Sequence, residues 1–224
     1  MRRLVIDSAT EDCSVALFDG DELIAGECLA LGRGHAERLV PMIAALPGKG
    51  RADAIAVDCG PGSFTGIRVG LAAARALALA WGARIEGFES LALVAAMARC
   101  DHPQAAIDVV MTGGHGEWFF QSFDAAGRPD GQVLSLAPDE AVARSSAPLV
   151  AGSQAEAVAA RRGQADGAGA APAALVLRPD ARAFALLPEQ AITADPAPRY
   201  GRAPDAKLPQ QAARPRLQAD SPPR

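Results

Sequence analysis

A chain of 224 residues, half of them apolar and with a formal charge of −4, can bury the core of one large domain or two small ones. That acidic balance excludes a general nucleic-acid surface, which needs clustered Lys and Arg. No apolar run is expected to reach membrane-span length, and Asp7 comes too early for a signal peptide.

In chain order, Leu4 to Ala9 and Cys13 to Asp19 read as strands, with Gly20-Asp21 as a two-residue hairpin turn into a third strand, Glu22 to Leu31. His35 to Leu46 has helical periodicity and contains Pro41, which is expected to bend it. Ala54 to Cys59 is a strand, Thr65 to Trp81 a long helix ended by Gly82, Arg84 to Phe88 a strand and Glu89 to Cys100 a helix. Strands follow at Ala106 to Met111, Glu117 to Phe123 and Gln132 to Leu136, then a helix from Pro138 to Ser145. Leu149 to Gly152 is a strand, Gln154 to Arg162 a helix, Gly163 to Ala173 a loop, Leu175 to Leu177 a strand and Asp180 to Leu187 a helix.

Each half thus reads βββαβαβα. The fold class is α/β, with two similar ribonuclease-H-like halves of the type found in actin, Hsp70 and sugar kinases (the ASKHA architecture). The halves are expected at 1–103 and 104–202, the second smaller, followed by a mobile tail at 203–224, where Pro, Gln, Arg and Ala displace apolar periodicity.

In this architecture phosphates are held by the turns after the first strand of each half, here Asp7-Ser8-Ala9-Thr10 and Thr112-Gly113-Gly114-His115-Gly116. Asp7, Ser8 and Thr10 are weak phosphate-turn candidates. The same residues would serve as local caps of a tight turn, and fold alone assigns no function. No glycine loop carries the lysine of a Walker motif. His35, His102 and His115 have no paired spacing, so no metal is expected, and Ser63 lies outside a GxSxG elbow. The four cysteines form no CxxC pair, which suits reduced thiols in the cytoplasm.

The stretch CGPGSFTGIRVGLAAARALALAWG, Cys59 to Trp81 and Gly82, opens like an anion-binding turn but runs into a helix that is apolar nearly all round. Ser63 or Thr65 can cap its first turn. Gly66, Gly70 and Ala74, four apart, form a smooth groove for close approach of another helix. Two readings stand: an internal core helix, or a helix covered by another subunit.

Several segments resemble the bacterial TsaB (older name YeaZ) family: RLVIDSATEDCSVAL at Arg3 to Leu17, RGHAERLVPMI at Arg33 to Ile43, and above all GPGSFTGIRVG at Gly60 to Gly70. Weaker matches are GEWF at Gly116 to Phe119 and APRYGR at Ala197 to Arg202 with KLP at Lys207 to Pro209. Where the family commonly has Asp-Ala-Arg, this chain has Thr112, Gly113 and Gly114, so no charged role is carried over there.

The resemblance implies a non-catalytic, cytoplasmic partner of the TsaD threonylcarbamoyltransferase, in forming N6-threonylcarbamoyladenosine (t6A) at position 37 of tRNAs that read ANN codons. It implies an accessory subunit rather than an enzyme, no intrinsic cofactor, and a nucleotide only at the interface with TsaD or the ATPase TsaE. TsaC would make the donor. A homodimer is implied where TsaD is absent, with tRNA met only through the complex. The interface is expected at His35, Leu39, Met42, Gly66, Arg68, Gly70, Leu71, Ala74, Arg75 and Leu77. The alternatives are an ATP-using enzyme of the same fold and an M22-type glycopeptidase; no residues support the peptidase chemistry.

Overall fold

A computed structural model describes residues 1–165 and 171–201. The expected tail at 203–224 and the middle of the Gly163 to Ala173 loop lie outside them.

The strands and helices run β1 (Arg2–Asp7), β2 (Asp12–Asp19), β3 (Glu22–Ala30), α1 (His35–Ala45), β4 (Ala54–Asp58), α2 (Phe64–Trp81), β5 (Arg84–Phe88) and α3 (Ser90–Ala98) in the first half. The second half has β6 (Ile107–Thr112), β7 (Trp118–Phe123), β8 (Pro129–Leu136), α4 (Pro138–Arg144), β9 (Leu149–Ala151), α5 (Ala155–Ala165) and β10 (Ala173–Leu175). The sheet orders are β3-β2-β1-β4-β5 and β10-β9-β6-β7-β8, the same arrangement read from opposite ends. In each, the first three strands form an antiparallel meander and the last two join in parallel.

Strand pleating explains the layers. On one face of the first sheet, Leu4, Ile6, Val15, Leu17, Ile55 and Val57 pack under α1 and α2. On the other, Val5, Ala16, Phe18 and Ala56 pack against Phe88, against Leu93 of α3, and against Phe184. With both faces covered, the middle of β1, Leu4 to Ile6, is apolar on both sides, as a central strand should be.

The last stretch of chain differs from expectation. The Asp180 to Leu187 segment is a 3-10 turn (Ala181–Leu186) instead of an α-helix, and it lies on the first sheet rather than the second. Phe184 meets Phe18 and Phe88 at centroid distances of 6.3 and 5.4 Å. β10 also begins two residues before the expected strand. Conversely α3, from the first half, packs Leu91, Val94, Ala95 and Ala98 onto Ile107, Val109 and Phe123 of the second sheet. α3 therefore serves both sheets, while the second half's final helical piece lies on the first.

The expectation that no apolar run would reach membrane length is also corrected. α2 is 18 residues long with a mean hydropathy of 1.2, enough to span, although 28% of it is buried in this fold. Alanine and leucine raise its hydropathy despite the two arginines. Its buried stripe of Gly66, Ile67, Gly70, Leu71 and Ala74 packs against the sheet.

Candidate partner interface and interlobe cleft

α2 is built to lie unusually close to the sheet. Ser63 caps it, accepting from Gly66 N–H at 3.2 Å, and Gly82, with φ of 67°, ends it in the left-handed conformation. A Cβ on Gly66 would collide with the Ser8 carbonyl oxygen, and one on Gly70 would lie 2.6 Å from Ser8 Oγ. Ser8 Oγ donates to the Gly66 carbonyl oxygen at 2.9 Å, tying the turn after β1 to the first turn of α2. The small residues expected to receive a partner helix instead receive the chain's own first turn.

This places the nominated interface residues on two sides. Leu39, Met42, Gly66, Gly70, Leu71 and Ala74 are buried within the chain, so their assignment to an outward face is corrected. His35 is also buried, its Nε2–H donating to the Asp12 carbonyl oxygen at 3.3 Å. Leu77 is half-buried, and only Arg68 and Arg75 are exposed. Both arginines hold the chain's C-terminal segment. Arg68 Nε donates to Tyr200 Oη at 3.0 Å with its guanidinium 3.6 Å over the Phe64 ring, and Arg75 Nη2 donates to the Pro196 carbonyl oxygen at 3.1 Å.

The outward face belongs to residues not nominated. Leu79 is 88% exposed, Val40 58% and Phe64 53%. Ala72, Ala76 and Ala80 of α2, with Ala36, Pro41 and Ala44 of α1, are exposed too. The signal was present in the sequence: Arg68 and Arg75 share one side of the helix, and charged residues mark the side away from the sheet. Residues 72, 76 and 79 flank them at helical spacing.

Beside this face, the two halves enclose a cleft of about 1120 Å³. Thr10 and Thr112 to His115 both line it, so the two expected turns do meet across one space. Asp7 and Ser8 do not line it; they are 1% and 2% exposed beneath α2. Asp7 Oδ1 accepts from Ala9 N–H at 3.1 Å, the local turn bond, while Oδ2 is buried with no hydrogen-bond partner among the described residues. Burial pushes the Asp7 carboxyl well above the usual carboxylate range, and the neighbouring Asp58 charge adds to this. Burial likewise raises Asp58 to about 6, against donation from Ser90 Oγ and Gly60 N–H.

In the second turn, Thr112 Oγ1 already accepts from Gln154 Nε2 at 2.8 Å, and Thr112 N–H donates to Ser153 Oγ at 2.9 Å. The cleft's arginines, Arg33 and Arg68, face Glu11 and Glu37 in the same lining. Such a lining can hold a polar ligand but concentrates no single sign of charge. Among the described residues, no three His, Cys, Asp or Glu side chains converge as a metal-holding group.

Residues 30–177 match the family model described as TsaD: tRNA N6-adenosine threonylcarbamoyltransferase. The chain is 35% identical over 123 residues to the tRNA threonylcarbamoyladenosine biosynthesis protein TsaB of Escherichia coli (strain K12), covering 53% of this chain and 45% of that protein. It is 42% identical over 81 residues to TsaB of Haemophilus influenzae, covering 34% of each. The matches thus span less than half the length of these curated relatives. Among solved structures, YeaZ from Pseudomonas aeruginosa superposes with a TM-score of 0.71 at 26% identity, covering 89% of this chain and 99% of that one. Since the sequence match takes in most of the chain and the structural one nearly all of it, the chain belongs to the TsaB/YeaZ family, within the wider group that includes the TsaD threonylcarbamoyltransferases.

Proposed function

We propose that the protein is a non-catalytic partner of the TsaD threonylcarbamoyltransferase in forming t6A at position 37 of tRNAs that read ANN codons. The observation that carries this reading is the solvent-facing apolar stripe of α2, with Leu79 almost fully exposed, running beside the exposed Val40 of α1. Exposed apolar stripes of this kind mark protein interfaces. The chemistry beside the cleft supports an accessory role: Ser63 is engaged as the cap of α2 and the buried Ser8 as its clamp, and among the described residues no side-chain base is hydrogen-bonded to either. Four free cysteines suit the cytoplasm. In this reading TsaD docks on the α1–α2 face, a second copy of the chain takes that place when TsaD is absent, and TsaE joins the pair. tRNA and any nucleotide are met through the assembly.

Co-expression with TsaD from the same genome tests this. Leu79→Glu puts a charge in the middle of the stripe. Its melt should stay within about 0.5 kcal/mol of the parent, because the side chain touches solvent. Recovery of TsaD should fall about tenfold or more, equivalent to at least roughly 1.4 kcal/mol. Full recovery of TsaD with Leu79→Glu and with Val40→Glu would remove this face from the interface.

A further inference from the structure

A second cavity, of about 320 Å³, shares no lining residue with the cleft. Three parts of the chain meet around it: the β5–α3 junction with α3, β7 with the turn after it, and the C-terminal segment. Its wall is apolar, formed by Phe88, Ala92, Ala95, Ala96, Phe123 and Ile192.

Six polar side chains break that wall: Glu89, Arg99, Gln121, Gln190, Thr193 and Arg199. Gln121 is only 6% exposed; its Nε2 donates to the Gly131 carbonyl oxygen at 3.1 Å, and among the described residues its Oε1 accepts nothing. Glu89 Oε1 pairs with Arg199 Nη1 at 2.9 Å. The Arg199 backbone N–H donates to the Cys59 carbonyl oxygen at 2.7 Å, while the second Glu89 oxygen and the remaining guanidinium N–H groups, on side chains 25% and 57% exposed, have no further protein partner among the described residues. Arg99 also lines the cavity, but it is occupied by the carbonyl oxygens of Pro103, Ala105 and Ala125. The Cys59 thiol is pushed up to about 12 by burial, which leaves it protonated and unsuited to covalent capture.

A few open polar groups at the rim of an apolar pocket are what fixes the orientation of a small ligand. Here two acceptors, one guanidinium and an apolar wall bound a single small space. The geometry points to a binding site for a small zwitterion with an apolar side chain, the class of the aliphatic α-amino acids. Its ammonium group donates to Glu89 and to Gln121 Oε1, its carboxylate accepts from Arg199, and its side chain lies against α3. The volume sits at the lower end of roughly 300–1,000 Å³ for ligand pockets, too small for a nucleotide with its phosphates. An occupant would touch both halves and the C-terminal segment at once. This inference does not depend on partner binding.

Titration calorimetry on the full chain with L-valine, L-leucine and L-methionine tests it, with N-acetyl-L-leucine and L-leucinamide removing one charge each. At least one free amino acid should bind in the micromolar to millimolar range, on the order expected for so few atoms. Both blocked forms should bind about tenfold or more weakly. Glu89→Gln should make L-leucine and N-acetyl-L-leucine bind alike, a change that loss of the Arg199 pair alone would not produce. Ala92→Phe, which fills the cavity from a half-buried position, should abolish binding with the melt retained; should it unfold, Gln121→Leu gives the same reading. The inference is overturned if none of the three amino acids binds at about 10 mM, if the blocked forms bind equally well, or if the variants bind as the parent does.

Discussion

Asp7 and Asp108 are both 1% exposed, yet their surroundings are opposite. Asp108 accepts from Ser122 Oγ, Ser145 Oγ, Ser146 N–H and Ala147 N–H, so its charge is satisfied in place. Asp7 accepts one turn bond and leaves an oxygen bare beside Asp58. Two buried carboxylates that close favour holding a proton rather than two charges. Their folded-state values lie above the unfolded value near 4, so the stability they contribute is full below about pH 4. It is lost as pH rises through the folded values, the Asp58 step coming near 6. For Asp58 the move from about 4 to about 6 corresponds to roughly 3 kcal/mol. Asp7→Asn keeps an acceptor for Ala9 N–H and removes one charge. It should flatten the decline in denaturation free energy between about pH 4 and 7 and stabilise the protein at pH 7. Asp108→Asn should instead destabilise at neutral pH, by about 1–3 kcal/mol, by removing the charge that its donors surround. A wild-type pH profile unchanged by Asp7→Asn would show that the pair does not titrate as argued.

At the scale of elements, α2 shows what a sequence conveys and what it withholds. Its limits to within a residue, its Gly82 stop and Ser63 as one of two candidate caps were readable, because capping chemistry is local. Its orientation was not. The Gly66, Gly70, Ala74 series fits close approach to any backbone, and only tertiary structure shows that the backbone is the Ser8 turn of the same chain. The phosphate-turn reading of Asp7 and Ser8 went unrealised for the same reason: a short Asp-Ser turn looks the same whether a ligand or a helix covers it. Gly70→Leu should therefore lower the melt, since its Cβ must displace Ser8 Oγ and carry α2 off the sheet. Overpacking of this kind costs about 1–3 kcal/mol or more. Ala76→Leu, on the exposed side of the same helix, should leave the melt nearly unchanged while altering partner recovery. A melt unmoved by Gly70→Leu would return the glycine stripe to the outer face.

The whole molecule is held together by exchange. The repeated βββαβαβ order was legible because hydrophobic period and turn residues are local signals. The exchange was not, because it pairs residues far apart in sequence: Phe184 with Phe18, and Leu91 with Ile107. Without the Ala181–Leu186 turn, Val5, Ala16 and Phe18 of the first sheet would lose part of their cover; without α3, Ile107 and Val109 of the second would lose theirs. The halves should then unfold as one unit. The protein carries two tryptophans, one in each half, which makes this measurable. Trp81 ends α2, and Trp118 is packed in the second half with Arg161 over its ring at 5.2 Å. Trp118→Phe leaves a reporter for the first half, and Trp81→Phe one for the second. Fluorescence-monitored denaturation of the two variants should give coincident transitions once each is referred to its own circular-dichroism curve. Adding Phe184→Ala to each should cost about 3–5 kcal/mol, the usual penalty for emptying a packed phenylalanine site. Because α3 joins the cores, both reporters should move together by the same amount. If the Trp81 signal shifts alone while Trp118 holds its midpoint, the halves are independent and the exchange of helical pieces does not couple them.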